Sequence, residues 1–308
     1  MDIYNFLFHR VSPKRDLLWD PMDVLLFEKC IKYISQKFKV VQFEQFAQSN
    51  IKHEMKGKYA TIMFDDGYKD NISYALPILE KYKIKASFYL VTDCIENNIP
   101  TWTHIIDHTF QCSQKKDIEL PFDFLPAELR TQNFIEKTQR IQFARKLKPF
   151  LKGISQDERK MVLSEISSQL SDVELPKLMM NWDDARLLVK KGHYVGSHTV
   201  SHDMLASIKS IEEIEFELRE SRKKIQTELG YAPLTISYPI GSYDDRTISL
   251  SSKLGYKFGL AVKQEVFKTK DTNLFEISRI ELYNESWFKT RLRINHTLEN
   301  LKRIIRYK

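Results

Sequence analysis

Apolar and polar positions along this chain follow two alternating rhythms. A near-continuous apolar run over 3–8 reads as a buried strand, and the amphipathic stretch over 22–38 reads as a helix. The exchange repeats as a strand over 59–64, a helix over 72–82 and a strand over 85–91. It resumes as helix 182–191, strand 193–197, helix 210–229, strand 234–238, helix 244–254 and strand 256–262. Such alternation predicts parallel strands joined by helical crossovers. By itself it fits an open sheet and a barrel equally. Between about 96 and 180 the rhythm breaks into a polar, helix-prone stretch rich in Lys, Arg, Glu and Gln. That interval predicts an inserted helical subdomain, with two readings held equal: a structure overhanging a site, or a cap on the flank of the main fold.

Composition narrows the class. With 308 residues the chain is long enough for one large α/β domain with embellishments or for two ordinary ones, and at 42% hydrophobic and 29% charged it has the make-up of a soluble globular protein. No apolar run approaches the ~18–20 residues that cross a bilayer. The N-terminal Met1-Asp2-Ile3-Tyr4 has no basic segment before its short apolar stretch, so it predicts a first strand and not a signal peptide. A cytoplasmic protein is the expectation. Three cysteines (Cys30, Cys94, Cys112), odd in number and without metal-ligand spacing, predict reduced thiols.

Charge is concentrated at one end. Residues 286–308 carry seven basic side chains against the single acid Glu299, in a chain whose net charge is +7. Leu298, Leu301, Ile304 and Ile305 fall at helical spacing, with Trp287 and Phe288 ahead of them. The segment predicts a basic amphipathic helix. The plainer expectation docks its apolar stripe on the main fold; the other lays it on an anionic membrane surface, at ~1 kcal/mol per basic residue. Nucleic-acid binding is not expected, because no recognition motif accompanies the charge.

The candidate chemistry sits at strand ends. Thr61-Ile62-Met63-Phe64 runs into Asp65, Asp66 and Gly67, and His198 and His202 follow the strand-like Tyr194-Val195-Gly196. One carboxylate and two histidines form a common ligand set for a catalytic divalent metal with an open position. The second carboxylate is left free to act as a base. An Asp-Asp pair alone is usually a turn or a helix cap, and a lone pair of histidines four apart is usually surface. Both pieces following strand signals, in this order, point to metal-assisted hydrolysis.

With these motifs the chain resembles the polysaccharide deacetylase family (NodB homology domain, carbohydrate esterase family 4). Phe8-His9-Arg10-Val11 is similar to the opening of many members, and Ala86 to Val91 to the strand after the first motif. Trp182-Asp183-Asp184 through Gly196-Ser197-His198 is similar to the helix and strand that carry the histidines. Ser237-Tyr238-Pro239-Ile240-Gly241-Ser242-Tyr243 is similar to the third motif. The likeness covers roughly 1–100 and 180–282.

It implies a distorted, incomplete (β/α) barrel of the NodB type over 1–285, with the helical insertion at about 96–180 and the basic helix at 286–308. It implies Asp66, His198 and His202 as ligands of one divalent metal, zinc first, with Co, Mn or Ni as alternatives. Asp65 takes the place of the general base, and the backbone N–H of Ile240 that of the oxyanion donor. Tyr238, Tyr243 and Trp102 are candidate substrate-binding walls, with packing the plainer role for the tyrosines.

Two departures stand out. Many members have an arginine at Ser237 that pairs with the base; Arg279, in Ile277-Ser278-Arg279-Ile280, is the candidate replacement. The late motif whose histidine is the general acid is not evident, and His296, in the basic tail, matches poorly. His9, ending the first strand, is a candidate acid or supporting group, with a structural histidine as the alternative. His104 and His108 share the four-residue spacing, but no strand delivers them, so no metal is assigned there.

The resulting expectation is a metal-dependent hydrolase removing an N-acetyl group from a sugar nucleotide or lipid-linked glycan in surface polysaccharide (lipopolysaccharide or capsule) biosynthesis. It would be cytoplasmic, with peripheral contact to the inner face of the membrane through the tail as an option. The alternatives are hydrolysis of a different non-peptide amide by the same site, and an inactive carbohydrate-binding pseudoenzyme. Oligomeric state is left open.

Overall fold

In the computed structural model, residues 2–50, 57–270 and 273–297 are described. β1 (Asp2–Phe8) leads through α1 (Val24–Lys37), a short β2 (Lys39–Val40) and α2 (Phe43–Asn50) to β3 (Lys58–Phe64). A π-helical turn (Asn71–Ala75) and α3 (Leu76–Lys81) precede β4 (Ser87–Leu90). The expected helix over 72–82 thus starts wide, immediately ahead of Pro77, which has no N–H for an α-turn bond. Next come α4 (Thr92–Asn97), α5 (Trp102–Cys112), an antiparallel pair β5 (Asp117–Glu119) and β6 (Thr131–Asn133), α6 (Lys137–Leu151) and α7 (Gln156–Gln169). The alternation resumes with α8 (Trp182–Lys190), β7 (Tyr194–Ser197), α9 (Ile211–Leu229), β8 (Thr235–Ser237), α10 (Asp245–Lys253) and β9 (Phe258–Leu260). β10 (Phe267–Lys268), β11 (Ile280–Glu281) and α11 (Trp287–Ile294) complete the order.

β1, β3, β4, β7, β8 and β9 lie side by side, all parallel, and β10 adds antiparallel to the outer edge of β1. The sheet curls until its edges share one segment. Ile277 bridges Leu260 beside β9, and β11 pairs with β1 through Phe6 and Ile280. Burial explains the curl, since β1 and β3 each bury six consecutive residues and so must be covered on both faces. The buried polar Asn5 is satisfied at the seam: Thr61 Oγ1 donates to it at 2.8 Å, and it donates to the Ser278 carbonyl at 3.0 Å. Parallel strands then end together at one mouth.

Helices sheathe the outside. α1 is capped by the Asp23 carboxylate, which accepts from the Leu25 and Leu26 amides, and it buries Phe27, Cys30, Ile31 and Ile34. Burial pushes the Cys30 thiol up to about 12, so it packs as an inert thiol. The span over 96–180 has its own apolar core, with Ile106 and Phe110 of α5 against Leu147 of α6 and Val162 of α7. Of the tail, α11 packs Trp287 edge-on against Tyr33 of α1, ring centroids 5.5 Å apart. The expected stripe of Leu298, Leu301, Ile304 and Ile305 lies outside the described residues. Among the described residues no helix is long and apolar enough to cross a membrane.

Candidate active site

The mouth of the barrel holds both halves of the expected constellation. Asp65 and Asp66 leave the end of β3, and His198 and His202 flank the turn after β7. All four side chains are buried. Asp66 Oδ1 lies 3.3 Å from His198 Nε2 and 3.3 Å from His202 Nε2, and makes no hydrogen bond among the described residues. Two ligands at about 2.05 Å from a shared ion, at the tetrahedral angle, stand about 3.3 Å apart. An orphaned carboxylate oxygen facing two imidazole nitrogens at that separation fits a cation held by the three. Their ligand atoms all lie within 4.8 Å of one another. His198 Nδ1 meets the Ser237 carbonyl at 2.7 Å, which keeps its proton on that side and turns Nε2 inward.

Asp65 has separate partners. Arg279 Nη1 donates to Oδ1 at 2.8 Å and Ser237 Oγ donates to Oδ2 at 3.0 Å. Burial opposes its charge, but the Arg279 guanidinium and nearby His198 outweigh burial and hold the carboxyl below its ordinary range. Burial is likewise outweighed at Asp66 by His198 and His202, and its carboxyl sits well below the ordinary range. The expected replacement of the missing arginine by Arg279 is present as a contact. Ser237, counted as a departure, contributes a hydrogen bond to the same carboxylate.

Backbone strain concentrates here. Asp66 (φ +75°), His202 (φ +65°) and Ile240 (φ +58°) occupy the left-handed region, at about 1–3 kcal/mol each for such residues. Gly67 (φ +88°) sits in the left-handed region that strains any residue with a Cβ, and an added Cβ would also press within 2.8 Å of Ile95 Cδ1. The histidine turn is clamped from several sides. The Glu217 carboxylate of α9 accepts from the amides of Val200 and Ser201 at 2.9 and 3.0 Å. Trp102 Nε1 donates to the His202 carbonyl at 3.2 Å, and Arg159 of α7 pairs with Asp203 at 2.6 Å.

Above the four residues lies a cleft of about 180 Å³. His9 and Ile240 line it, and His9 Nδ1 stands 3.4 Å from Glu281 Oε1. The turn at Ile240 is closed by the amides of Gly241 and Ser242. Trp102, Tyr238 and Tyr243 are not among the lining residues. Trp102 sits behind His202 in the core of the inserted segment, and Tyr238 stacks on Tyr243 with centroids 4.7 Å apart. His104 is buried against Trp19 and Tyr68. His108 faces Cys112 and the Glu174 carbonyl. The sequence reading missed Trp19, Glu281 and the inserted segment's Asp107, Lys148 and Lys152, all in the cleft wall. Nothing in the local pattern separates the four charged ones from surface charge.

The sequence profile of the polysaccharide deacetylase family matches residues 52–259, and the chain belongs to that family. Membership of a deacetylase family supports a hydrolase acting on carbon–nitrogen bonds other than peptide bonds. Among curated proteins, an "uncharacterized 30.6 kDa protein in fumA 3′ region" of Geobacillus stearothermophilus is 34% identical over 76 residues; the match spans 24% of this chain and 28% of that relative. Among solved structures, the Streptococcus pyogenes deacetylase PplD in complex with acetate superposes with a TM-score of 0.62 at 16% identity, covering 96% of this chain and 98% of that one. IcaB from Ammonifex degensii gives 0.61 at 15%, covering 95% and 97%. A de-N-acetylase from Aggregatibacter actinomycetemcomitans gives 0.59 at 15%, covering 96% and 100%. At these identities the likeness is one of fold.

Proposed function

We propose that this protein is a metal-dependent N-deacetylase that releases acetate from an N-acetylated sugar. The observation that carries the reading is the orphaned Asp66 Oδ1, set 3.3 Å from both imidazoles beside a second carboxylate with partners of its own. Asp66, His198 and His202 would hold the cation, zinc being the first choice for two nitrogens and a carboxylate. When bound, such a cation supplies Lewis acidity toward an acyl oxygen and an attacking water.

The remaining work falls to the chain. Asp65, kept ionised by Arg279, accepts a proton from the attacking water. The Ile240 N–H stabilises the negative charge that develops on the acyl oxygen. His9, oriented by Glu281, donates a proton to the nitrogen as the C–N bond breaks, so the products are acetate and a sugar amine. Family membership and the PplD, IcaB and de-N-acetylase folds support this reading, and a surface-glycan precursor is the substrate class we infer.

The test is acetate release from a panel of N-acetylated sugar nucleotides, lipid-linked glycans and free oligosaccharides. Chelated protein and His198→Ala serve as controls. Release from at least one member, lost in both controls, is the expected result. A bound metal without acetate from any member would contradict the proposal.

A further inference from the structure

Two charged side chains of the inserted segment lack hydrogen-bond partners for part of their polar surface among the described residues. Asp107 of α5 is 1% exposed. Its Oδ2 takes the Lys148 ammonium of α6, while its Oδ1 is buried with no hydrogen bond among the described residues, and Asp107 is in the cleft lining. Lys152, at the C-terminal end of α6, lines the same cleft; its ammonium makes no hydrogen bond or ion pair among the described residues. A structural Asp–Lys pair would use both carboxylate oxygens and leave no second ammonium idle beside it. An acceptor and a donor on one wall, neither hydrogen-bonded among the described residues, match a ligand whose neighbouring groups both give and accept protons.

We propose that Asp107 and Lys152 form the sugar-reading wall of the site, Asp107 accepting from one hydroxyl of the N-acetylated pyranose and Lys152 donating to its neighbour. The assignment rests on the deacetylase reading above and names which residues choose the sugar. Charge favours a neutral polyhydroxy ligand over a phosphate. Among the lining carboxylates and lysines, Asp65, Asp66, Asp107 and Glu281 outnumber Lys148 and Lys152, so the wall lacks the cluster of cations that a phosphate would call for. The wall is also fixed relative to the metal-binding trio. Arg159 on Asp203 and Trp102 on the His202 carbonyl tie the inserted segment to the histidine turn. Gripping two hydroxyls would therefore hold the acetamide in register with Asp65 and Asp66.

The test is calorimetric titration of N-acetylglucosamine tetramers, 1,4- and 1,6-linked, into zinc-loaded full-length protein carrying Asp65→Asn to prevent turnover. Asp107→Asn and Lys152→Met, each added to that background, are expected to weaken binding at least tenfold. Lys152→Arg, which keeps a donor, should stay within threefold. Lys152 makes no hydrogen bond or ion pair among the described residues, so Lys152→Met keeps the test decisive if Asp107→Asn fails to fold. Affinities within twofold for Lys152→Met and for any folded Asp107→Asn would overturn the proposal, as would no tetramer binding by the background protein. In that last case, hydrolysis of 4-nitrophenyl acetate by the unaltered zinc protein separates the two claims. Persisting hydrolysis means that only the sugar wall is wrong; its absence means the deacetylase reading falls as well.

Discussion

Asp65 and Asp66 are adjacent in sequence yet face different neighbours, because a left-handed backbone at Asp66 turns its carboxylate toward the imidazoles while Asp65 stays on Arg279 and Ser237. The Asp65–Arg279 pair is fully buried. Removing only one member leaves an unpaired charge, at about 3–5 kcal/mol. Arg279→Met should therefore destabilise the protein by about that amount, and adding Asp65→Asn should recover most of it. Urea unfolding of the two single variants and the double variant measures the coupling; additive losses would mean the pair is not coupled. A second residue-scale effect concerns His193, whose Nδ1 accepts the Ala86 amide at 3.1 Å. Burial, aided by the charge of Lys85, brings its pKa down to about 4. The unfolded chain, near 6.5, takes up the proton first, so this stability is complete above about pH 6.5 and is lost as pH falls toward 4. Between pH 7 and pH 5 the loss from this residue is about 2 kcal/mol. His193→Asn, which retains an acceptor for Ala86, should show a shallower fall in urea midpoint over that range. An unchanged slope would remove His193 from the account.

At the scale of elements, the site was legible where a side chain's role is written into a local pattern. The apolar run of β3 ending in two acids and the strand before His198 announce themselves, because a buried parallel strand needs consecutive apolar residues and must end where polar groups are wanted. β11 and the inserted segment's contribution were not legible. β11 is two residues long and exists because β1 and β9 offer it partners far away in sequence. Lys148 and Lys152 look like any lysines on a polar helix until α6 is laid across the mouth. Trp102 reads as a binding aromatic in sequence, yet it supports the turn behind His202. The same turn leans on α9. Glu217→Ala should leave Asp66, His198 and His202, the proposed cation ligands, unaltered but release the turn that carries the two histidines. The expected result is zinc affinity at least tenfold weaker by competition titration, in the range usual for supporting contacts. Unchanged affinity would show that the turn is rigid without Glu217.

For the molecule as a whole, the alternating pattern identified the parallel α/β fold, while the closing of the sheet through 277–281 depends on long-range pairing that periodicity does not encode. That closure also places Arg279 under Asp65 and Glu281 beside His9, joining the architecture to the proposed chemistry. The inserted segment adds a second wall over a mouth that the barrel alone would leave open. The central claim is that Asp65 works as a base beside a cation it does not bind. It is tested most directly by comparing Asp65→Asn with the unaltered protein for both zinc content and acetate release, on whichever N-acetylated sugar the panel identifies. The account predicts one zinc per chain in both proteins, with acetate release at least a hundredfold slower in the variant. Equal rates at equal zinc content would contradict it.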